Sequence, residues 1–388
     1  MSKIERLKKE DNKELLQFLN EAFGYSEKDG FSVQMPVMWR ENDEVMGKNL
    51  AIKENGKIIA AAGVYPLKLN IAGQSLLFAT TGNIAVKKEY RGKAYMKELM
   101  TAIGEEVNNL GIDVARLGGQ RQRYNRYGYE YAGKSYNFTL TYKNLSAIGV
   151  IDNEELNKIE FKRLTKESIV ELTSLKQIQE SSEMYVNRGN ETDFFDIMSA
   201  WRNIPYCVFD ENGNCIGGLS ASQDNRQIAE VFANNDYNLI NILYSWIIKN
   251  SLDYSVFNIP CYKKEVIRRL SSICEYINVG FSTQIRVLNF EKFTDALISL
   301  KGKTESEFVK VQGSFVLNIK GYGNIKISAS GCVKTEEKAD LIVDSLVATR
   351  LLYGFQSPED IVELPSEKRQ IIKSILPLSF WWNGQDRV

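Results

Sequence analysis

The sequence predicts an α/β protein in which one order of helices and strands occurs twice, followed by a smaller α+β unit. Three observations carry this. The chain has 388 residues, more than one core usually organises, so two or three domains are expected. Helix, hairpin, strand, helix and strand follow one another twice with different residues, a structural repeat without sequence repetition. From Phe290 the texture changes to a helix, alternating strands and two apolar helices.

The elements follow in order. Residues 11–24 read as a helix, with Leu15, Phe18, Leu19, Ala22 and Phe23 on one face, Asp11 and Glu14 as a variant capping box and Gly24 as the stop. "LAIKENGKIIAAAGVYPLKLNI" is a hairpin closed by Asn55-Gly56, a pair that tolerates the positive φ of a two-residue turn. A strand runs from about Leu76 to Val86. Met96, Leu99, Met100, Ile103, Val107 and Leu110 then recur at helical spacing up to Gly111. "DVARLG" and the alternation Tyr136, Phe138, Leu140, Tyr142 supply further strands.

In the second copy, a helix near 166–182 precedes a hairpin at Asn212-Gly213 and a strand over 228–232. A helix over 239–249, "YSVFNI", another helix and "TQIRVLN" complete it. Where the first copy has "KKEYRGKAYM" this one has "ANNDYN", so it reads as scaffold. In the last block "FVKVQGSFVLNIKG" and "NIKISASG" are strands, and helices lie around 344–353 and 367–376. With no low-complexity linker and no Gly/Pro cluster, the units are expected to pack tightly.

Composition excludes several functions. Lysine plus arginine (49) equals aspartate plus glutamate (49), so no basic surface for nucleic acid is indicated. At 44% hydrophobic and 25% charged, with no signal-like amino terminus and no long apolar run, a cytoplasmic protein without a membrane partner is expected. Five scattered cysteines fit reduced thiols. With no histidine, a Ser-His-Asp triad and an HExxH metal site are impossible, and no metal is expected.

Two stretches carry chemistry. "NIAVKKEYRGKAYMKELM" runs from a strand end through a basic turn into a helix. The free N–H groups and dipole of a helix start favour an anion, and Arg91 and Lys93 add charge. It reads either as a pyrophosphate cradle or as a solvated basic turn. "RQRYNRYGYEYAG" holds four tyrosines behind Gly118 and Gly119, and aromatic residues mostly pack.

"VKKEYRGKAYM" resembles the coenzyme A signature of the GCN5-related N-acetyltransferases (GNAT), R-x-x-G-x-G/A at a helix start. Arg91 matches, while Ala94 and Met96 stand where small residues are usual. The whole chain is similar to the Eis-like, three-domain branch. That implies a catalytic GNAT domain over 1–145, a degenerate second GNAT domain over 146–288 and a sterol-carrier-protein-like domain over 289–388. Each GNAT fold has a central mixed sheet flanked by helices.

The resemblance implies an acetyl-CoA-dependent N-acetyltransferase acting by direct attack in a ternary complex. The acceptor would be a primary amine of a small molecule, aminoglycoside- or polyamine-like, or of lysine. Ile84, Ala85 and Val86 would bind the pantetheine arm, and Arg91, Gly92, Lys93, Ala94, Tyr95 and Met96 the pyrophosphate. "YNRYGY" matches the family's tyrosine-acid pattern with Tyr124 as the acid. The Val388 carboxylate would face the amine, carried by Phe380, Trp381 and Trp382; those aromatics equally fit a latch that only docks the last domain. Phe23, Tyr25, Phe31 and Trp39, with Tyr65 or Phe78 and the carboxy-terminal tail, are expected in the acceptor pocket. A homo-oligomer, hexameric by analogy, is implied. The alternatives are an acyl-CoA-binding sensor without turnover and an apolar-ligand or lipid-binding protein using the last domain.

Overall fold

The computed structural model describes residues 3–378 and 380–386. The first stretch contributes strands β1 (Ile4–Arg6), β2 (Asn49–Glu54), β3 (Lys57–Ile71), β4 (Gln74–Val86), β5 (Val114–Leu117), β6 (Glu130–Ala132) and β7 (Ser135–Thr141). The second contributes β8 (Glu160–Arg163), β9 (Met184–Val186), β10 (Ile204–Phe209), β11 (Cys215–Ala221), β12 (Gln227–Ala233), β13 (Tyr254–Pro260), β14 (Tyr276–Gly280) and β15 (Thr283–Val287). The last unit holds β16 (Ser314–Ile319), β17 (Gly323–Ser328), β18 (Gly331–Lys334) and β19 (Leu341–Val343).

These strands make three sheets. The first runs β1-β2-β3-β4-β5-β15-β6, with β9 paired to the far end of β3. The second runs β14-β7-β13-β12-β11-β10-β8, and the third β18-β17-β16-β19. The first two thus exchange a strand: β7 lies between β13 and β14, and β15 between β5 and β6. Residues 135–141, ahead of the boundary expected at 145/146, thus belong to the second sheet, and 283–287, ahead of that at 288/289, to the first. Alternation of apolar residues identified both strands, but the choice of sheet is made by tertiary pairing that no local pattern encodes.

Local chemistry explains most of the elements. Asn55 and Gly56 have φ of 50° and 76°, and Ala72 and Gly73, between β3 and β4, have 52° and 92°, as a type I′ hairpin requires. The first long helix spans Asn12–Phe23 and ends at Gly24 in the left-handed region. Its expected capping box does not form. Asp11 instead accepts from the Lys8 N–H and pairs with Lys53, and Glu14 accepts from the Ile58 N–H across the β2–β3 turn. Ion pairing with Lys53 holds the Asp11 carboxyl below its usual pKa against the opposing effect of burial, the larger single influence.

The helix Tyr95–Asn109 lays Leu99, Ile103 and Val107 against Ile59, Val64 and Leu117 of the first sheet. The third unit has no separate core on the side facing that sheet. Phe78 of β4 meets Phe293 edge-on at 5.7 Å and stacks on Trp382 at 5.8 Å, and Phe380 meets Phe293 at 5.3 Å. Phe380 is fully buried, so the tail is committed to the body of the protein rather than loose.

Candidate active site

The site begins with a defect in β4. Ala61 pairs with Ala85 and Gly63 with Gly82, so Asn83 and Ile84 together face the single residue Ala62. Asn83 takes φ 58°, and its side chain donates to the Tyr65 hydroxyl (2.8 Å), which donates to Asn49 (2.6 Å). This buried triad fixes a bulge that turns the end of β4. A Cβ on Gly63 would lie 2.3 Å from the Tyr65 hydroxyl, so only glycine leaves the triad room.

Strand β4 pairs with the parallel β5 only over Phe78–Thr81 against Val114–Leu117. Beyond Thr81 the two strands diverge, and β4 runs on to Val86 paired with β3 on one side only. The Lys87 N–H is used by the Ile59 carbonyl. Successive N–H groups alternate sides along a strand, so that of Val86 points away from β3, into the gap.

A cavity of about 620 Å³ opens beside this gap, lined by Ile84, Ala85, Val86, Arg91, Gly92, Ala94, Tyr95 and Met96, with Phe23, Lys97, Arg123, Arg126 and Tyr127 among the other walls. Of the expected cofactor residues, Lys93 alone is not on the wall, its ammonium lying 4.9 Å from the centre of the Tyr90 ring. The helix Tyr95–Asn109 starts at Ala94 without a side-chain cap, so its first N–H groups face the cavity unclaimed by a capping side chain. Arg91 and Lys97 stand on one side, Arg123 and Arg126 on the other. Arg123 and Arg126 were not among the expected residues; their R-x-x-R spacing within the tyrosine-rich stretch is the signal that marks them.

Tyr124 is 6% exposed and sits between Gly119 and the cavity-lining Arg123. A Cβ on Gly119 would be 2.6 Å from its ring, which explains the second glycine before this stretch. Burial raises its pKa above the ordinary 10.0, only partly opposed by the Arg123 guanidinium bonded to it. The phenol is thus held neutral. Tyr129 is fully buried with its hydroxyl 3.1 Å from Thr81 Oγ1, Tyr131 stacks on Phe281 at 5.0 Å, and Tyr127 lines the cavity.

A second cavity, of about 320 Å³, lies farther back along β4, with Tyr65, Leu67, Thr80, Arg188, Asp193, Gln385 and Asp386 in its walls. Of the residues expected around the acceptor, Tyr65 reaches this cavity. Phe23 lies at the first cavity instead. Tyr25 is 37% exposed and edge-on to Phe31, and neither it nor Trp39 is on either wall. Trp39 is buried against Phe31 (5.7 Å), and Met35 and Met38 of the same segment take the wall in its place. Phe78 is core. Val388 lies outside the described residues. The tail is placed through Asp386: Gln385 donates to the Met198 carbonyl (2.9 Å), and Asp386 accepts from Arg188 (2.9 Å), whose guanidinium also holds Glu230 at 2.7 and 2.9 Å.

Residues 3–132, which carry the bulge, the gap and Tyr124, match a family model described as an acetyltransferase (GNAT) domain. This stretch is similar to the GNAT acetyltransferase domains. Over the full length the fold is shared with Eis1 from Mycobacterium abscessus, at a TM-score of 0.71 and 14% identity with 100% of both chains covered. A GCN5-related N-acetyltransferase from Kribbella flavida has a TM-score of 0.69 at 14% identity, covering 100% of this chain and 98% of that one. A probable N-acyltransferase from Enterococcus faecalis gives 0.68 at 12%, covering 98% and 100%. No curated protein matches the chain. Among the described residues no helix is long and apolar enough to cross a membrane, and no acidic or cysteine cluster could hold a metal.

The stretch that resembles the GNAT signature departs from it at Ala94, and the backbone shows the consequence. Ala94 has φ 63°, a left-handed conformation that costs a residue with a Cβ roughly 1–2 kcal/mol. Ala94→Gly is expected to raise stability by about 1 kcal/mol and to tighten coenzyme A binding, as read by denaturant unfolding and by titration. Weaker binding would show that the turn is not a phosphate cradle.

Proposed function

We propose that the chain is an acetyl-coenzyme A-dependent N-acetyltransferase acting on a primary amine in a ternary complex. The observation that carries this is one coincidence: the bulged end of β4, open on its β5 side, and an uncapped helix start meet at one cavity of about 620 Å³, and the buried neutral phenol of Tyr124 adjoins Arg123 of its wall. The donor set fits coenzyme A. Its pyrophosphate suits the helix start and the four cationic side chains, and its amide-bearing arm suits a strand edge with unused backbone groups. When bound it supplies an activated acyl thioester.

The residues of the chain divide the remaining work. The Val86 N–H, aimed into the gap, donates to the acyl oxygen as negative charge develops there. Tyr124 donates a hydrogen bond towards the sulfur. In the overall transfer the C–S bond breaks and a C–N bond forms. The ammonium nitrogen gives up two protons, one of which ends on the thiol and one in solvent. For Val388 we propose the acceptor-facing role, supported by the path of the tail to the second cavity. A chain ended after Asp386 is expected to lose at least about 10-fold in turnover while binding coenzyme A unchanged, and unaltered turnover would remove Val388 from the reaction. For the last unit we propose a structural part, supported by Phe380 and Trp382 packing on Phe78.

Thiol release from acetyl-coenzyme A, assayed against a panel of amines, tests the proposal. Amine-dependent release that Tyr124→Phe suppresses supports it. Cofactor binding without release by any amine would favour instead a sensor, the alternative to which Ala94 and Met96 lend support. Failure of coenzyme A to bind would overturn both.

A further inference from the structure

We propose that the cavity behind the bulge accepts a primary amine carried on one apolar body, an alkyl or arylalkyl monoamine, and discriminates against polycations. This rests on the acetyltransfer reading for its chemistry, but the cavity itself carries the selectivity. Its volume of about 320 Å³ suits a small molecule. Met35, Met38, Pro66, Leu67, Val186 and Ile197 supply an apolar lining.

The charged groups described at its wall are Lys48, Arg188, Asp193 and Asp386, two cations and two carboxylates. Neither carboxylate is available to a polycation. Asp386 is bonded by Arg188 at 2.9 Å and is only 5% exposed. Asp193 is paired with Arg40 at 2.5 Å, and that arginine also holds Asp196 at 2.8 Å. A guest with several ammonium groups would desolvate each beside an arginine or lysine, and both carboxylates described at the wall are already ion-paired. Thr80 Oγ1, in a residue 1% exposed at the same wall, has neither a hydrogen-bond partner nor an ion-pair partner among the described residues. It can accept one N–H, which matches a single ammonium or amine head with the hydrocarbon laid along Leu67 and Ile197.

The experiment uses the full chain. Binding of hexylamine, phenethylamine, spermine and an aminoglycoside is measured by calorimetry without cofactor, and turnover of each by thiol release with acetyl-coenzyme A. The monoamines are expected to bind, and to exceed both polycations roughly 10-fold or more in kcat/KM. Hexylamine affinity should change less than about two-fold between low and high salt, because an apolar body rather than surface charge holds it. Leu67→Glu, which adds an unpaired carboxylate, should shift the preference towards spermine by about 10-fold or more. Tighter binding of spermine or the aminoglycoside by the parent chain, no binding of either monoamine, or a Leu67→Glu chain with unchanged preference would each overturn the proposal. If monoamines bind as expected but no amine supports thiol release, the selectivity stands and the acetyltransfer reading fails.

Discussion

Tyr124→Phe is expected to lower turnover with acetyl-coenzyme A by roughly 100-fold and to leave coenzyme A affinity within about three-fold. The asymmetry follows from position. The ring is buried beside Gly119, where phenylalanine fits the same space, so packing and the cavity walls are retained. The hydroxyl alone is lost. If it mattered only to packing, both quantities would stay near the parent values; if it mattered to binding, affinity would fall with turnover. Single-turnover rates beside a coenzyme A titration separate these outcomes, and unchanged turnover would remove Tyr124 from the mechanism.

The state of that phenol fixes how it acts. Proton transfer to a departing thiolate would be helped by a phenol more acidic than usual, yet burial moves Tyr124 the other way, above 10.0, with Arg123 opposing only in part. Against a thiol near 8.5 the phenol keeps its proton by at least about 2 kcal/mol. On the proposed reading Tyr124 would therefore stabilise sulfur by hydrogen bonding, with the thiol's proton arriving by way of solvent. A raised pKa extends the neutral donor form to higher pH. Deprotonation of Tyr124 should accordingly cause no loss of kcat below about pH 10.

What could be read beforehand divides by the range of the interactions. The Asn55-Gly56 turn, the helix ending at Gly24 and the helix following Ala94 are written in a few adjacent residues, and each stands where the local chemistry puts it. That residues from Ile84 to Met96 share one cavity wall follows for the same reason, the segment being almost contiguous. The exchange of β7 and β15 was not legible, since both strands have the same alternating texture and either sheet would satisfy it. Trp39 shows the same limit: which of Met35, Met38 and Trp39 turns towards the second cavity depends on Phe31, packed from a neighbouring turn. Arg188 carried no signal at all, because its partners Glu230 and Asp386 lie far along the chain.

Arg188→Met is expected to destabilise the protein by about 3–5 kcal/mol and to abolish most turnover. The Arg188 side chain is 0% exposed, with Glu230 and Asp386 at 4% and 5%. Burial would pull its pKa down, but the two carboxylates outweigh that and hold it above the ordinary value, so it stays charged. Methionine fills similar space beside Phe194 yet leaves two buried carboxylates facing each other. Asn383, which also bonds Glu230, and Asp386 belong to the tail, so the repulsion is relieved by expelling the segment that walls the second cavity. Limited proteolysis should then cut after residue 380 faster than in the parent, alongside the fall in stability. A triple change, Arg188→Met, Glu230→Leu and Asp386→Leu, removes the stranded charges and should regain most of the lost stability, because well-packed apolar groups replace buried ion pairs at little cost. If the tail's function is to wall the acceptor cavity, the triple variant should recover turnover with hexylamine in proportion to its resistance to proteolysis. A variant that regains stability and a protected tail but remains inactive would show that the ion triad itself, and not merely the anchored tail, is needed at the cavity.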